Sequence, residues 1–229
     1  MTANDQPFDA RSVEERYLAV RERLWIAAER CGRDPASVKL VAVTKTFGPE
    51  AILPVIGQGH LSFGENRVRE AVRKWPPLRE RFPLIDLHLI GQLQTNKVRE
   101  AVMNFDCIET LDRPRLAAAL AAEIQKQGKA PKLFIQVNIG LEEQKGGVPP
   151  SEAPGFLRRC EREFGLSISG LMCIPPADED PVPYFESMAA LRHRLSLPEL
   201  SMGMSGDFEE AIRAGATIIR VGSAIFGTR

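Results

Sequence analysis

The sequence predicts a (β/α)₈ barrel, and three observations point to it. Eight apolar, β-branched-rich runs alternate with helix-type segments, the pattern of parallel strands joined by crossovers. The chain has 229 residues, close to the roughly 250 of that fold. GxGxxG and a Walker-type loop are both absent, which counts against the rival open, doubly wound sheet. One barrel uses the whole chain as a single domain, residues 1–229.

The elements follow in order. Residues 1–11 read as a flexible tail. Val13, Tyr17, Val20, Leu24, Ala27 and Cys31 recur at helical spacing, so residues 12–31 form an extra amphipathic helix. Ser12 with Glu15 gives it a capping-box start, and Gly32 a stop. The first strand is VKLVAVT (38–44), followed by a short helix broken near Pro54. HLSFG (60–64) precedes a helix from about Glu65, and DLHLIG (86–91) one around TNKVREAV. FDCIET (105–110) precedes a helix ended by Gly128, and KLFIQVNI (132–139) a Gly-rich loop and a helix near 151–164. LSISGLMCI (166–174) leads to a helix over 184–195, and ELSMGM (199–204) to DFEEAIRAG. TIIRVG (217–222) is the eighth strand, and only SAIFGTR follows it. The ring of helices then lacks its last member, a gap the N-terminal helix can fill.

Composition narrows the function. Lys+Arg and Asp+Glu are both 30, so there is no cationic excess for a nucleic-acid backbone. The basic run Arg67, Arg69, Arg73, Lys74, Arg79 and Arg81 reads as a solvated helix face. No apolar run reaches the roughly 20 residues of a membrane span, and the N-terminus has no signal-peptide core. Cys31, Cys107, Cys160 and Cys173 form no CxxC pair, which predicts free thiols in a reducing cytoplasm. His60, His88 and His193 show no metal-ligand spacing, so no metal is expected.

In this fold the chemistry gathers where strands run into the following loops, with phosphate held after strands seven and eight. Ser205-Gly206 and Gly222-Ser223 occupy those two places, each before a helical turn, the first capped by Asp207. Glycine lets an anion approach the backbone, and helix-start N–H groups supply donors. The alternative is that these are turn and cap residues only. Lys45 ends the first strand; alone it is an exposed lysine at a strand end. Across the mouth from a phosphate cradle it suggests a Schiff base with a phosphorylated aldehyde, pyridoxal 5′-phosphate (PLP). Arg220, a cation inside the last strand, would then face the pyridine nitrogen and keep it unprotonated, because guanidinium donates and cannot accept. His88 would stack on or bond to the ring, or be a core histidine with a backbone partner.

VAVTKTFGPEAI, FGENRVREA, LHLIGQLQTNK, FIQVNIG, KGGVPP, GLMCIPP, LSMGMSGDFEEAI and RVGSAIFG resemble the motifs of the pyridoxal phosphate homeostasis proteins, single-domain relatives of the barrel half of alanine racemase. The likeness runs from about residue 38 onward. It implies that Lys45 is the PLP lysine, that Ser205, Gly222 and Ser223 hold the phosphate, that Arg220 faces the ring nitrogen, and that Asn66 of the GEN motif lies near the cofactor. Arg67 stands where an aromatic is frequent, and Leu87 where tryptophan often precedes the histidine.

The resemblance implies a protein that buffers or delivers PLP, with PLP-dependent apo-enzymes as recipients. The alternative is an amino-acid racemase, which needs acid/base groups on both faces of the substrate carbanion. The tyrosines, Tyr17 and Tyr184, belong to the outer N-terminal helix and to the segment after the sixth strand. A phosphosugar-metabolising barrel would leave Lys45 and Arg220 without linked roles. A monomer is expected, and the 140–150 loop, with Gly146, Gly147 and few apolar side chains, is expected to be mobile.

Overall fold

Val41, Cys107, Phe134, Met172 and Ile218 come from five different strands and pack together at the centre of a closed, all-parallel ring. The computed structural model describes residues 10–227. Its strands are β1 (Lys39–Val43), β2 (Ser62–Glu65), β3 (Asp86–Leu89), β4 (Cys107–Leu111), β5 (Lys132–Val137), β6 (Gly170–Cys173), β7 (Glu199–Ser201) and β8 (Ile218–Val221). They pair in sequence order, and β8 closes onto β1 with Val41 opposite Arg220. This is the (β/α)₈ barrel that the alternation predicted.

The helices are α1 (Ala10–Arg30), α2 (Pro49–Gly57), α3 (Val68–Arg81), α4 (Val98–Asn104), α5 (Pro114–Gln127), α6 (Ala153–Arg162), α7 (Val182–Arg194), α8 (Phe208–Arg213) and the single turn α9 (Ser223–Phe226). α1 buries Val13, Tyr17, Val20, Leu24 and Ala28 and lies against α2, α8 and α9. It therefore completes the helical ring where α9 is too short to do so. Arg16 donates to the Ile225 carbonyl at 2.8 Å, and Arg23 pairs with Glu209 through two hydrogen bonds.

Several boundaries differ from the sequence reading. Of the tail expected over 1–11, residues 1–9 lie outside the described residues, while Ala10 and Arg11 already belong to α1, so Ser12 sits inside the helix rather than capping it. α2 runs unbroken through Pro54, because burial of Ile52, Val55 and Ile56 outweighs one missing backbone hydrogen bond. Glu65 ends β2 instead of opening a helix, and α3 starts at Val68 and carries Pro76 and Pro77 within it. β6 begins at Gly170 rather than residue 166: a Cβ there would collide with the Glu199 backbone, so this glycine allows β7 to close on β6.

Candidate functional site

Side chains alternate along a strand, so Val41 and Val43 of β1 set the parity that Lys45 continues, two residues beyond Val43. Thr44, of the opposite parity, is buried among the groups outside the strand, and its hydroxyl donates to Glu65 Oε1 at 2.6 Å. Lys45 itself is exposed at the end of the strand. A Cβ on Gly222 would touch the Val43 side chain at 3.3 Å. The ends of β1 and β8 are therefore adjacent, and Lys45 and Ser223 extend from neighbouring strands on the same rim.

The two small-residue pairs meet there as well. Ser205 Oγ accepts from the Gly222 N–H at 3.2 Å and from the Ala224 N–H at 3.3 Å, tying the loop after β7 to the first turn of α9. No hydrogen bond among the described residues takes the N–H of Gly206 or Ser223, and a Cβ on Gly206 would meet nothing within 4 Å. Asp207 does not cap α8 with its side chain as expected; its Oδ1 turns back to accept from the Met204 N–H at 2.6 Å and fixes the turn containing Ser205 and Gly206. Asn66 follows β2 against Gly91, where a Cβ would run into the Asn66 backbone. Its Oδ1 is buried with no hydrogen-bond partner. The structure thus brings Lys45, Ser205, Gly206, Gly222 and Ser223 to one rim, and an unsatisfied Asn66 acceptor to the end of the strand next to β1.

Below the rim, the interior holds a column of alternating charge. Lys39 Nζ lies 2.7 Å from Asp86 Oδ2, which lies 3.2 Å from His88 Nε2. His88 Nδ1 lies 2.6 Å from Glu109 Oε1, and Glu109 Oε2 lies 3.7 Å from Arg220 Nη1. Ser201 Oγ donates to Glu109 Oε2 at 2.6 Å and accepts from Arg220 Nη1 at 2.6 Å, while Arg220 Nη2 donates to the Cys173 carbonyl at 2.8 Å. Burial opposes charging His88, but Cys107, Asp86 and Glu109 outweigh it and hold its pKa well above the ordinary 6.5. Burial likewise acts against ionisation of Glu109, yet His88, Arg220 and Ser201 keep its carboxyl below the usual range. Burial pushes the Cys107 thiol up to about 11.

Two residues named from the sequence have protein partners in the column. Arg220 is buried with protein partners of its own, so the cation in the last strand is already paired before any cofactor is considered. His88 is a core histidine held by two carboxylates rather than by backbone, and with both ring nitrogens engaged, stacking is the contact it has left for a cofactor ring. The sequence reading missed Glu109 and Ser201. Glu109 carried the same signal as Arg220, a charge at an interior position of an apolar strand, and Ser201 carried none. The histidine spacing predicts no metal, yet folding brings the ligand atoms of His88, Cys107 and Glu109 within 4.8 Å of one another. Both Glu109 oxygens are spent on His88 and Ser201, and Arg220 adds a positive charge beside them.

A protein of Aquifex aeolicus named pyridoxal phosphate homeostasis protein is 40% identical over 226 residues, covering 94% of this chain and 97% of the relative. The chain belongs to the pyridoxal phosphate homeostasis protein family. The description of the alanine racemase N-terminal domain matches residues 18–229 of this family member. The homeostasis protein of Escherichia coli K12 is 38% identical over 221 residues, 92% of this chain and 94% of the relative. Among solved structures, PipY of Synechococcus elongatus PCC7942 with PLP bound is 34% identical, with a TM-score of 0.79 over 94% of this chain and 100% of that one. Alanine racemase from E. faecalis has a TM-score of 0.68 at 19% identity over 97% of this chain and 59% of that one, a likeness of fold.

Proposed function

We propose that this protein binds pyridoxal 5′-phosphate through Lys45 and serves PLP homeostasis, holding the cofactor for buffering or delivery without efficient turnover. The observation that carries the reading is the single rim on which Lys45 stands beside the Ser205–Gly222–Ser223 cradle. When bound, PLP supplies an aldehyde that a lysine amine can capture and a phosphate that takes several donors. The N–H groups of Gly206 and Ser223 and the hydroxyls of Ser205 and Ser223 suit the phosphate. Asn66 would offer its unpartnered acceptor to the cofactor, and Arg220 would present positive charge that disfavours a proton on the ring nitrogen.

Holding rather than turning over agrees with the placement of the tyrosines. Tyr17 is buried under α1 against His60, and Tyr184 donates to Glu179 Oε2 at 2.5 Å. Neither supplies the second acid/base group a racemase needs at the mouth. The solved PLP-bound relative and the names of the curated relatives support the same reading.

Borohydride reduction in the presence of PLP, followed by peptide mapping, tests it. Wild type should be labelled at Lys45, and Lys45→Ala should keep its melting temperature and lose the label. Ser205→Ala with Ser223→Ala should leave the lysine reactive and weaken retention of PLP by tenfold or more, given roughly 1.5–3 kcal/mol for each hydrogen bond to a charged group. Label on another lysine overturns the assignment, and racemisation of amino acids at an enzymatic rate overturns the holding role.

A further inference from the structure

Lys45 stands in a turn whose two flanking residues are both held by one buried ion cluster. Before it, the Thr44 carbonyl accepts from Lys74 Nζ at 2.8 Å and the Thr44 hydroxyl donates to Glu65 Oε1 at 2.6 Å. After it, the Thr46 N–H donates to Glu70 Oε1 at 2.6 Å. Lys74 Nζ joins the two halves, 2.8 Å from Glu65 Oε1 and 2.8 Å from Glu70 Oε1. Trp75 Nε1 donates to the same Glu65 oxygen at 3.1 Å. The Glu65 side chain is fully buried, and that of Lys74 is 8% exposed.

Two features show that this cluster does more than fill space. Thr46 has φ of +69°, a left-handed conformation that a β-branched residue adopts only when its surroundings impose it. The Glu70 carboxylate on its N–H is one of the groups that impose it. In addition, a lysine ammonium with almost no exposure carries a large desolvation cost, and here all three of its acceptors belong to the cluster or to the residue before Lys45. Lys74 and Glu70 lie one turn apart on α3, whose strand, β2, is the neighbour of β1. The helix after β2 therefore braces the turn after β1.

We propose that Lys74 and Glu70, with Glu65 beneath them, are positioning residues for Lys45: they fix the backbone on both sides so that its amine meets the aldehyde of PLP. The inference rests on Lys45 being the PLP lysine. Capture forms the Nζ–carbon bond with loss of one water, and it requires the amine at one place relative to a cofactor anchored by its phosphate. A turn free to move would still leave the phosphate cradle on β7 and β8 intact. The brace therefore governs covalent capture and not phosphate binding.

That separation supplies the test. Wild type, Glu70→Ala, Glu70→Gln and Lys74→Met are compared for borohydride-fixed PLP on the Lys45 peptide and for affinity toward pyridoxine 5′-phosphate, which has the ring and phosphate but no aldehyde. Glu70 is the safer site for folding, because its side chain is 25% exposed. Glu70→Ala and Lys74→Met should cut capture at limiting PLP about tenfold while affinity for pyridoxine 5′-phosphate stays within about twofold, the loss expected of one or two charged hydrogen bonds acting on the turn alone. Glu70→Gln keeps an oxygen for the Thr46 N–H and should recover most of the capture. Capture at the wild-type level in Glu70→Ala overturns the proposal. So does a loss of pyridoxine 5′-phosphate affinity in proportion to the loss of capture, which would show general damage to the site. Wild type that binds pyridoxine 5′-phosphate but is never labelled at Lys45 removes the PLP-lysine reading itself, and the brace with it.

Discussion

Glu109 shows how one interior residue can hold a barrel's charges together. It is fully buried, contacts His88 and Ser201, and balances Arg220. Removing it leaves Arg220 buried without a carboxylate and His88 with Asp86 alone. Breaking a buried pair in this way costs about 3–5 kcal/mol, more than the pair itself contributes over an apolar replacement. Glu109→Leu should therefore lose that much stability in a denaturant titration, and Glu109→Gln, which keeps an acceptor, should lose less. Equal stability of Glu109→Leu and wild type would mean that Glu109 does not hold Arg220 and His88 as a buried counter-charge. The same pairing explains why a buried arginine is tolerated in β8, a question the strand's sequence raises and cannot answer.

The segment after β5 illustrates the element scale. Its glycines, prolines and charges suggest a mobile loop, but the structure ties it down. Asn138 Nδ2 donates to the Glu142 carbonyl at 2.8 Å, and Asn138 Oδ1 accepts from the Glu142 N–H at 3.1 Å. Gln136 Nε2 donates to the Gly146 carbonyl at 3.0 Å, and Lys145 Nζ to the Pro175 carbonyl at 2.9 Å. Val148 pairs with Val137 as an isolated bridge, and Gly147 takes φ of +119°, where a Cβ would strike the Asn138 N. Composition shows how few apolar groups can order such a loop, but not the side chains reaching it from the strand beneath. Limited proteolysis should spare the loop in wild type and cut it early in Asn138→Ala. Early cutting in wild type would restore the mobile reading.

At the scale of the molecule, closure of the helical ring depends on α1 seating against the barrel, and His60 lies in that seam. Its ring stands 5.2 Å from Tyr17 of α1 and 5.2 Å from Phe63 of β2, and its Nε2 donates to the Ser62 carbonyl at 2.7 Å. Burial lowers its pKa from 6.5 to about 4, despite the Ser62 bond. The folded state therefore holds His60 neutral while the unfolded chain protonates it near 6.5. Its contribution is fully present above pH 6.5 and is lost as pH falls through about 4. Melting temperature should fall across that window, and His60→Gln, which keeps a donor but cannot charge, should flatten the fall. An unchanged slope in His60→Gln would assign the acid sensitivity to other groups.

The alternation of eight strands with helices was legible because it is local: β-branched runs and helical periodicity report burial directly, and eight such units are the count of a (β/α)₈ barrel. Lys45, Ser205, Gly206, Gly222 and Ser223 were legible for the same reason, since strand ends in this fold lie at its functional rim. The partners were not. Glu109 reaches Arg220 across 111 residues, Ser201 joins them from a third strand, and Lys74 grips Thr44 from a neighbouring helix. Side-chain pairing across a barrel depends on stagger and register, which no local pattern encodes. The sequence by itself determined where the rim is and which groups stand on it; only the tertiary structure decided that Arg220 and His88 belong to one interior charge column and that the turn of Lys45 is braced from α3.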